Sequence, residues 1–256
     1  MNDDRREDEI MEGEPDPEDF FPDERERIKP SRWWVKVAAI FLAMILLGNA
    51  GAFLLQYYGA DGRELMEQSE ELSTQPDIQS YKESIVHVQR NGSKGTGFFY
   101  GKEGQILTNH HVAEGDGPLI VTTVNGEKYQ ADIEHEDEEL DLALLTIETD
   151  QTHEALPLSD SGTSDQQSVY IIGNPLLYDH IAITGHITEH EEQYDAIQID
   201  ASIFQGHSGS PVISDSGEVV GVIYAKTIPG FASEQDSVGL AIPIDRVHSF
   251  LTEAND

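Results

Sequence analysis

Three side chains far apart in the sequence are of the types that together make a serine hydroxyl reactive. Ser208 sits in Gly206-His207-Ser208-Gly209-Ser210-Pro211, His111 in Thr108-Asn109-His110-His111-Val112, and Asp141 at the head of Asp141-Leu142-Ala143-Leu144-Leu145. A serine hydroxyl is a poor nucleophile at neutral pH until an imidazole takes its proton, and that imidazole needs a carboxylate to fix its tautomer. Histidine, aspartate and serine follow one another in a chain order in which such triads occur. The flanking Gly206 and Gly209 allow backbone conformations that side chains forbid, which can aim the N–H groups of Gly206 and Ser208 at a developing oxyanion. The chemistry expected of this set is acyl transfer: cleavage of an amide, with His111 as general base and then acid.

Each assignment competes with a blander one. A single Gly-x-Ser-x-Ser is on its own compatible with an ordinary turn. His110 is the neighbour of His111, and His207 adjoins the nucleophile, but adjacent side chains diverge, so His207 is expected at the pocket rim or in solvent. His87, His135, His153, His180, His186, His190 and His248 are expected to be structural or surface residues. Asp141 stands out from Glu134, Glu136, Asp137, Glu138 and Glu139 because it leads an apolar strand and can be buried. The acidic run before it is expected to be a solvated loop. Its mostly consecutive carboxylates lack calcium-loop spacing, so no metal site is expected, and no cofactor.

Short alternating runs must carry these residues. From about Tyr81 the sequence runs through Ser84–Gln89, Gly97–Tyr100, Leu119–Val124, Ser168–Ile172, Ile181–Thr184, Ala196–Ile199, Val219–Tyr224 and Val238–Ile242, punctuated by turns. Asn125-Gly126 is a hairpin signal. The expectation is an all-β domain over 81–256, large enough for two small barrels, with a short C-terminal helix from Asp245 to Ala254 capped by Asp245. No internal repeat is visible in the sequence.

The remainder of the chain is organised by charge and hydropathy. The formal net charge is −34 and there are no cysteines. This excludes thiol chemistry and disulfides, and it argues against nucleic acid, which needs clustered Lys and Arg. Residues 1–36 hold 13 acids against 7 bases and the rest 36 against 8, so most of the excess belongs to the later part of the chain. Such a surface serves solubility or adaptation to high salt, where screening shortens the reach of self-repulsion. Residues 1–34 form an acidic tail too polar to fold, followed by 24 uncharged residues from Val37 to Ala60. Residues 35–58 are therefore expected to be a transmembrane helix, a lipid-bilayer anchor rather than a signal peptide, with a polar, acidic stalk at 59–80. Arg25, Arg27, Lys29, Arg32 and Lys36 precede the span and only Arg63 closely follows it, which places the N-terminus in the cytoplasm and the catalytic domain outside the cell membrane.

The stretches Gly95-Thr96-Gly97-Phe98, Leu107–Val112, Asp141–Leu145, Ile172-Gly173-Asn174-Pro175, Gly206–Val212 and Val238–Pro243 together resemble, in order, the HtrA/Deg branch of the trypsin-like serine proteases. The resemblance implies a chymotrypsin-like double β-barrel with the triad in the cleft, polypeptide substrates in extracytoplasmic quality control, and a possible trimeric homo-oligomer. It also puts the specificity pocket near Ser202, Tyr224, Ala225 and Lys226, favouring small or medium apolar residues at the cleaved bond, with Lys226 as an argument for an acidic one. The family usually has Asn where His207 stands and Gly where Ser210 stands, and a PDZ domain common in the family is not expected after residue 250. Two other functions fit the same residues: a protease-fold binding or chaperone-like module, and a regulatory protease for one membrane partner.

Overall fold

A computed structural model describes residues 32–58, 60–101, 103–188, 196–227 and 238–254. Most of the expected acidic tail, residues 1–31, lies outside the described residues. Helix α1 (Arg32–Tyr58) contains Trp33–Gly51, whose mean hydropathy is 1.8, and its side chains between Trp33 and Ala50 are exposed. At about 1.5 Å per residue, a helix of this length and composition can cross a bilayer core of about 30 Å.

Beyond α1 come α2 (Ala60–Leu72) and α3 (Pro76–Glu83), then two closed six-stranded barrels. The first contains β1 (Ile85–Arg90), β2 (Ser93–Phe99), β3 (Gln105–Thr108), β4 (Leu119–Thr122), β5 (Lys128–Asp137) and β6 (Leu142–Ile147). The second contains β7 (Ser168–Gly173), β8 (Ile181–Ile187), β9 (Ile197–Asp200), β10 (Pro211–Ser214), β11 (Val219–Lys226) and β12 (Gly239–Pro243). Neighbour order is β1-β2-β3-β6-β5-β4 in one and β7-β8-β9-β12-β11-β10 in the other, so the second barrel repeats the topology of the first although the sequence shows no repeat. Every paired strand is antiparallel. A short helix, α4 (His110–Ala113), follows β3, and α5 (Ile244–Ala254) ends the described chain.

Three apolar clusters hold this arrangement. Val86, Val88, Phe99, Ile106 and Leu145 fill the first barrel, and Ile171, Ile183, Ile199, Val212 and Ile223 fill the second. The third cluster is the seam: Phe98, Leu107 and Leu142 from one barrel meet Ile172, Ile213 and Val222 from the other, closed by Ile78 of α3 and Val247 and Phe250 of α5. Helix α5 begins at Ile244, one residue before the Asp245 expected as its cap, so Asp245 lies inside the first turn instead of capping it. Glu134–Asp137, expected as a loop, are the end of β5, where a register shift between Ile133 and His135 bends the strand against β6. The region expected as a stalk contains packed helix: Leu65 joins the second-barrel cluster, Gln68 Nε2 donates to Thr184 Oγ1 (3.0 Å), and Ser69 Oγ accepts from the Ala182 amide (3.0 Å) on β8.

Candidate active site

His111 is presented by the break between β3 and α4. Asn109 is extended (φ −84°, ψ 151°), and the single turn that follows buries Val112 and Ala113 in the first-barrel interior. His111 is left on the opposite side, with 45% of its side chain exposed. Its Nδ1–H donates to Asp141 Oδ2 at 2.7 Å, with Oδ1 at 3.0 Å, and its backbone N–H donates to Asp141 Oδ1 at 3.0 Å. Asp141 occupies the left-handed region (φ 55°), which aspartate tolerates better than most side chains, and Asn109 Nδ2 donates to its carbonyl at 2.9 Å. A proton on Nδ1 leaves Nε2 as the imidazole's acceptor. His110 is turned elsewhere, with Nε2 3.6 Å from Glu136 Oε2.

The Ser208 loop joins β9 to β10, and its carbonyls are taken one after another. Gln205 O accepts from the Leu176 amide (2.8 Å), Gly206 O from Thr96 Oγ1 (2.7 Å), His207 O from the Ser210 amide (2.9 Å) and Ser208 O from the Thr96 amide (2.8 Å). The amides are used selectively. His207 N–H donates to Phe204 O (3.1 Å) and Gly209 N–H to Ile223 O (2.8 Å), whereas Gly206 N–H and Ser208 N–H donate to nothing among the described residues. Because a trans peptide points its N–H opposite its C=O, fixing Gln205 O on Leu176 aims the Gly206 amide the other way. Gly206 has φ +104°, a conformation that needs glycine.

Strand β2 ties the two halves of the site together. A Cβ on Gly95 would lie 2.7 Å from Val112 Cγ2, beside His111, and 3.0 Å from Ser208 O. Thr108 Oγ1, three residues before His111, donates to Thr96 O (2.7 Å), and a Cβ on Gly209 would collide with that same carbonyl. The histidine turn and the serine loop are thus packed on the same two residues, Gly95 and Thr96.

Beside the loop lies a cavity of about 580 Å³ lined by Ser202, Phe204, Lys226 and Asp200, with Glu64 and Gln68 of α2 on another side. Lys226 Nζ sits 5.3 Å above the Phe204 ring. Tyr224 falls where β11 shifts register against β12, a bulge that re-aims its side chain to the seam between the barrels. Burial pushes its phenol up, and the Asp141 charge adds to this. Ala225 pairs with Leu240 and is half-buried. His207, expected at the rim, is fully buried; burial pushes its imidazole down to about 4.

Comparison with known proteins gives this geometry its family. The model of the trypsin-like peptidase domain matches residues 95–222, which spans Gly95, His111, Asp141 and Ser208. The chain belongs to the trypsin-like peptidase family. It is 35% identical over 180 residues to a probable periplasmic serine endoprotease, DegP-like, of Chlamydia trachomatis, covering 65% of this chain and 34% of that protein. It is 31% identical over 238 residues to the chloroplastic protease Do-like 1 of Arabidopsis thaliana, covering 82% of this chain and 52% of that one. The chain therefore spans from a third to about half of the length of these curated relatives. The crystal structure of a serine endoprotease from Yersinia pestis superposes with a TM-score of 0.63 at 26% identity, over 70% of this chain and 65% of the other.

In this HtrA-like peptidase the three residues expected to act together divide into a bonded pair, His111 and Asp141, and a serine loop held beside them by β2. Ser202 and Lys226 share one cavity, Tyr224 faces the seam, and Ala225 lies in the β11–β12 ladder. Sequence reasoning missed Thr96 and Leu176, whose bonds set the loop carbonyls, and the three α2 residues, Glu64, Leu65 and Gln68, that line the cavity. Thr96 was visible only as part of Gly-Thr-Gly; the α2 contribution had a signal in Leu65 and Leu72, spaced i, i+7 on one helix face.

Proposed function

We propose that this chain is a membrane-anchored serine endopeptidase. Ser208 Oγ attacks the substrate carbonyl carbon as His111 Nε2 takes its proton, and Asp141 holds the imidazole through Nδ1. The oxyanion forms between the N–H groups of Gly206 and Ser208. Collapse breaks the C–N bond, His111 returns the proton to the leaving amine, and water then releases the acyl group from Ser208 by the same route. The observation that carries this reading is the pair of amides at Gly206 and Ser208 that donate to nothing among the described residues, on a loop packed against the same Gly95 and Thr96 as the turn of a histidine whose Nδ1 is committed to a carboxylate. Ser202, Tyr224, Ala225 and Lys226 are assigned to substrate binding, with Ser202 and Lys226 in the cavity beside the loop.

Residues 1–34 are assigned as a cytoplasmic tail, 35–58 as the bilayer span, 59–80 as the connecting segment and 81–256 as the peptidase domain facing outward. The excess of Lys and Arg before the span supports that orientation, as does the periplasmic description of the Chlamydia relative. Substrates are polypeptides exposed outside the cytoplasm. A fluorophosphonate probe tests the chemistry: the intact protein in detergent is expected to be labelled and to cleave a fluorogenic peptide, and Ser208→Ala to lose labelling and about 10⁶-fold in kcat. Undiminished turnover by Ser208→Ala refutes the assignment.

A further inference from the structure

Two residues of the Ser208 loop have no duty in the reaction proposed above, yet both are fully buried: His207 and Ser210. Each holds a buried polar atom without a partner among the described residues, His207 Nε2 and Ser210 Oγ. Both lie against the same glycine. A Cβ on Gly173 would collide with Ser210 Oγ and would stand 3.1 Å from His207 Cδ2, the carbon bonded to Nε2. Buried polar atoms are rarely left unpaired, and these two are complementary. Nδ1 accepts the Phe204 N–H (3.0 Å), so Nε2 carries the proton, and a serine hydroxyl can accept it.

The remaining groups of His207 close the turn that shapes the oxyanion loop. Its amide donates to Phe204 O while its Nδ1 takes the Phe204 N–H, so residues 204–207 are locked from both sides. Gln205 and Gly206 form the crest of that turn, and the Ser210 amide returns to His207 O. No charge is used for this bracing: the neighbours Thr96, Gly173 and Ser210 are uncharged, and among the described residues Lys226 is the cation whose charge acts on the ring.

We propose that His207 and Ser210 act as one buried polar unit, coupled through Nε2 and Oγ, that positions the Gly206 and Ser208 amides for the oxyanion. Both are positioning residues, and the inference rests on the serine-endopeptidase reading. The two places where the nucleophile motif departs from the family pattern, a histidine and a serine, thereby become one structural device.

The test uses the full chain in detergent, a fluorogenic peptide cleaved by the unaltered protein, and the variants His207→Ala, His207→Asn, Ser210→Ala and His207→Asn with Ser210→Ala. His207→Ala is expected to lower kcat about 10²-fold with KM changed less than about threefold, because donors to the transition state are disordered while substrate binding is not. His207→Asn, whose Oδ1 can take the place of Nδ1 as acceptor for Phe204, is expected to recover kcat to within about tenfold of the unaltered protein. Ser210→Ala is expected to lower kcat about tenfold when His207 is present and less than about twofold in the His207→Asn background, since the Asn amide ends at its δ atoms, one bond short of the Nε2 position, and leaves no Nε2–Oγ coupling for Ser210→Ala to remove. Equal losses from Ser210→Ala in both backgrounds, or a His207→Ala enzyme within about threefold of normal kcat, overturn the proposal. If His207→Ala fails to fold, the Ser210 comparison decides alone. If Ser208→Ala silences the enzyme while the separate His207→Ala variant turns over normally, this inference alone is refuted; an unaltered protein that neither cleaves peptide nor takes the fluorophosphonate refutes the endopeptidase reading and this inference with it.

Discussion

Replacing Thr96 by valine keeps the shape of a fully buried side chain and removes one hydroxyl. That hydroxyl donates to Gly206 O at 2.7 Å and accepts the Asn174 amide at 2.9 Å. Thr96 has no exposed surface, so neither orphaned group can turn to water. A buried group left without its partner costs about 1–3 kcal/mol, which puts Thr96→Val, with two such groups, at about 2–6 kcal/mol of stability, a sizeable share of a typical total of about 5–15 kcal/mol. The main-chain bond from the Thr96 amide to Ser208 O survives the change, so the nucleophile keeps its place while the Gly206 carbonyl is freed to turn. The functional loss is therefore expected in the oxyanion donors alone, about 10- to 10²-fold in kcat, below the 10²–10³ of deleting a donor outright. Urea unfolding followed by tryptophan-independent far-UV signal, with peptide kinetics on the same preparation, measures both quantities, and Thr96→Ser serves as the control that restores the hydroxyl. A Thr96→Val protein with unchanged midpoint and with kcat within about twofold of normal refutes the idea that this hydroxyl holds the loop.

Two further outcomes are expected. Asp141→Asn can still accept the His111 backbone N–H through its amide oxygen, but it removes the carboxylate charge and sets an amide N–H donor against Nδ1, which favours the wrong imidazole tautomer, so kcat should fall about 10⁴-fold with the fold intact; a loss under tenfold in steady-state kinetics excludes the carboxylate's role. Stability should fall on acidification because burial holds His207 at about 4 against an ordinary value of 6.5. Between these values the unfolded chain binds a proton that the folded one refuses. The stabilisation is whole above pH 6.5 and is lost as pH falls towards 4. From pH 6.5 to 5 this amounts to about 2 kcal/mol, read by urea titrations of the unaltered protein against His207→Asn; an identical pH dependence in both denies it.

Much of the framework was legible in local patterns. Alternation marked the strands, and Asn125-Gly126 turned the chain between β4 and β5, with Gly126 at φ +80° and its amide on Thr123 O. The apolar run after Asp141 became β6, as a buried strand should. What local pattern could not convey was pairing. The charges of Glu134–Asp137 look like loop, but their backbone completes the β5–β6 ladder, where side chains alternate between exposed and half-buried. His207 was unreadable for a related reason: nothing in Gly-His-Ser tells which way the ring points, and its burial depends on Gly173 and Phe204, which the fold brings to it. Thr96, one small polar residue between glycines, gave no local sign that it would bond to a loop 110 residues away. The matching topology of the two barrels likewise survives in pairing order while the side chains have diverged.

In the proposed reaction the nucleophile is Ser208, whose loop leaves one barrel and is braced by a strand of the other. During synthesis β2 is made long before Ser208, yet neither is competent until the two barrels have closed on each other. A nascent or partly unfolded chain therefore holds its reactive groups apart, and the capacity to cut arises only with completed tertiary structure.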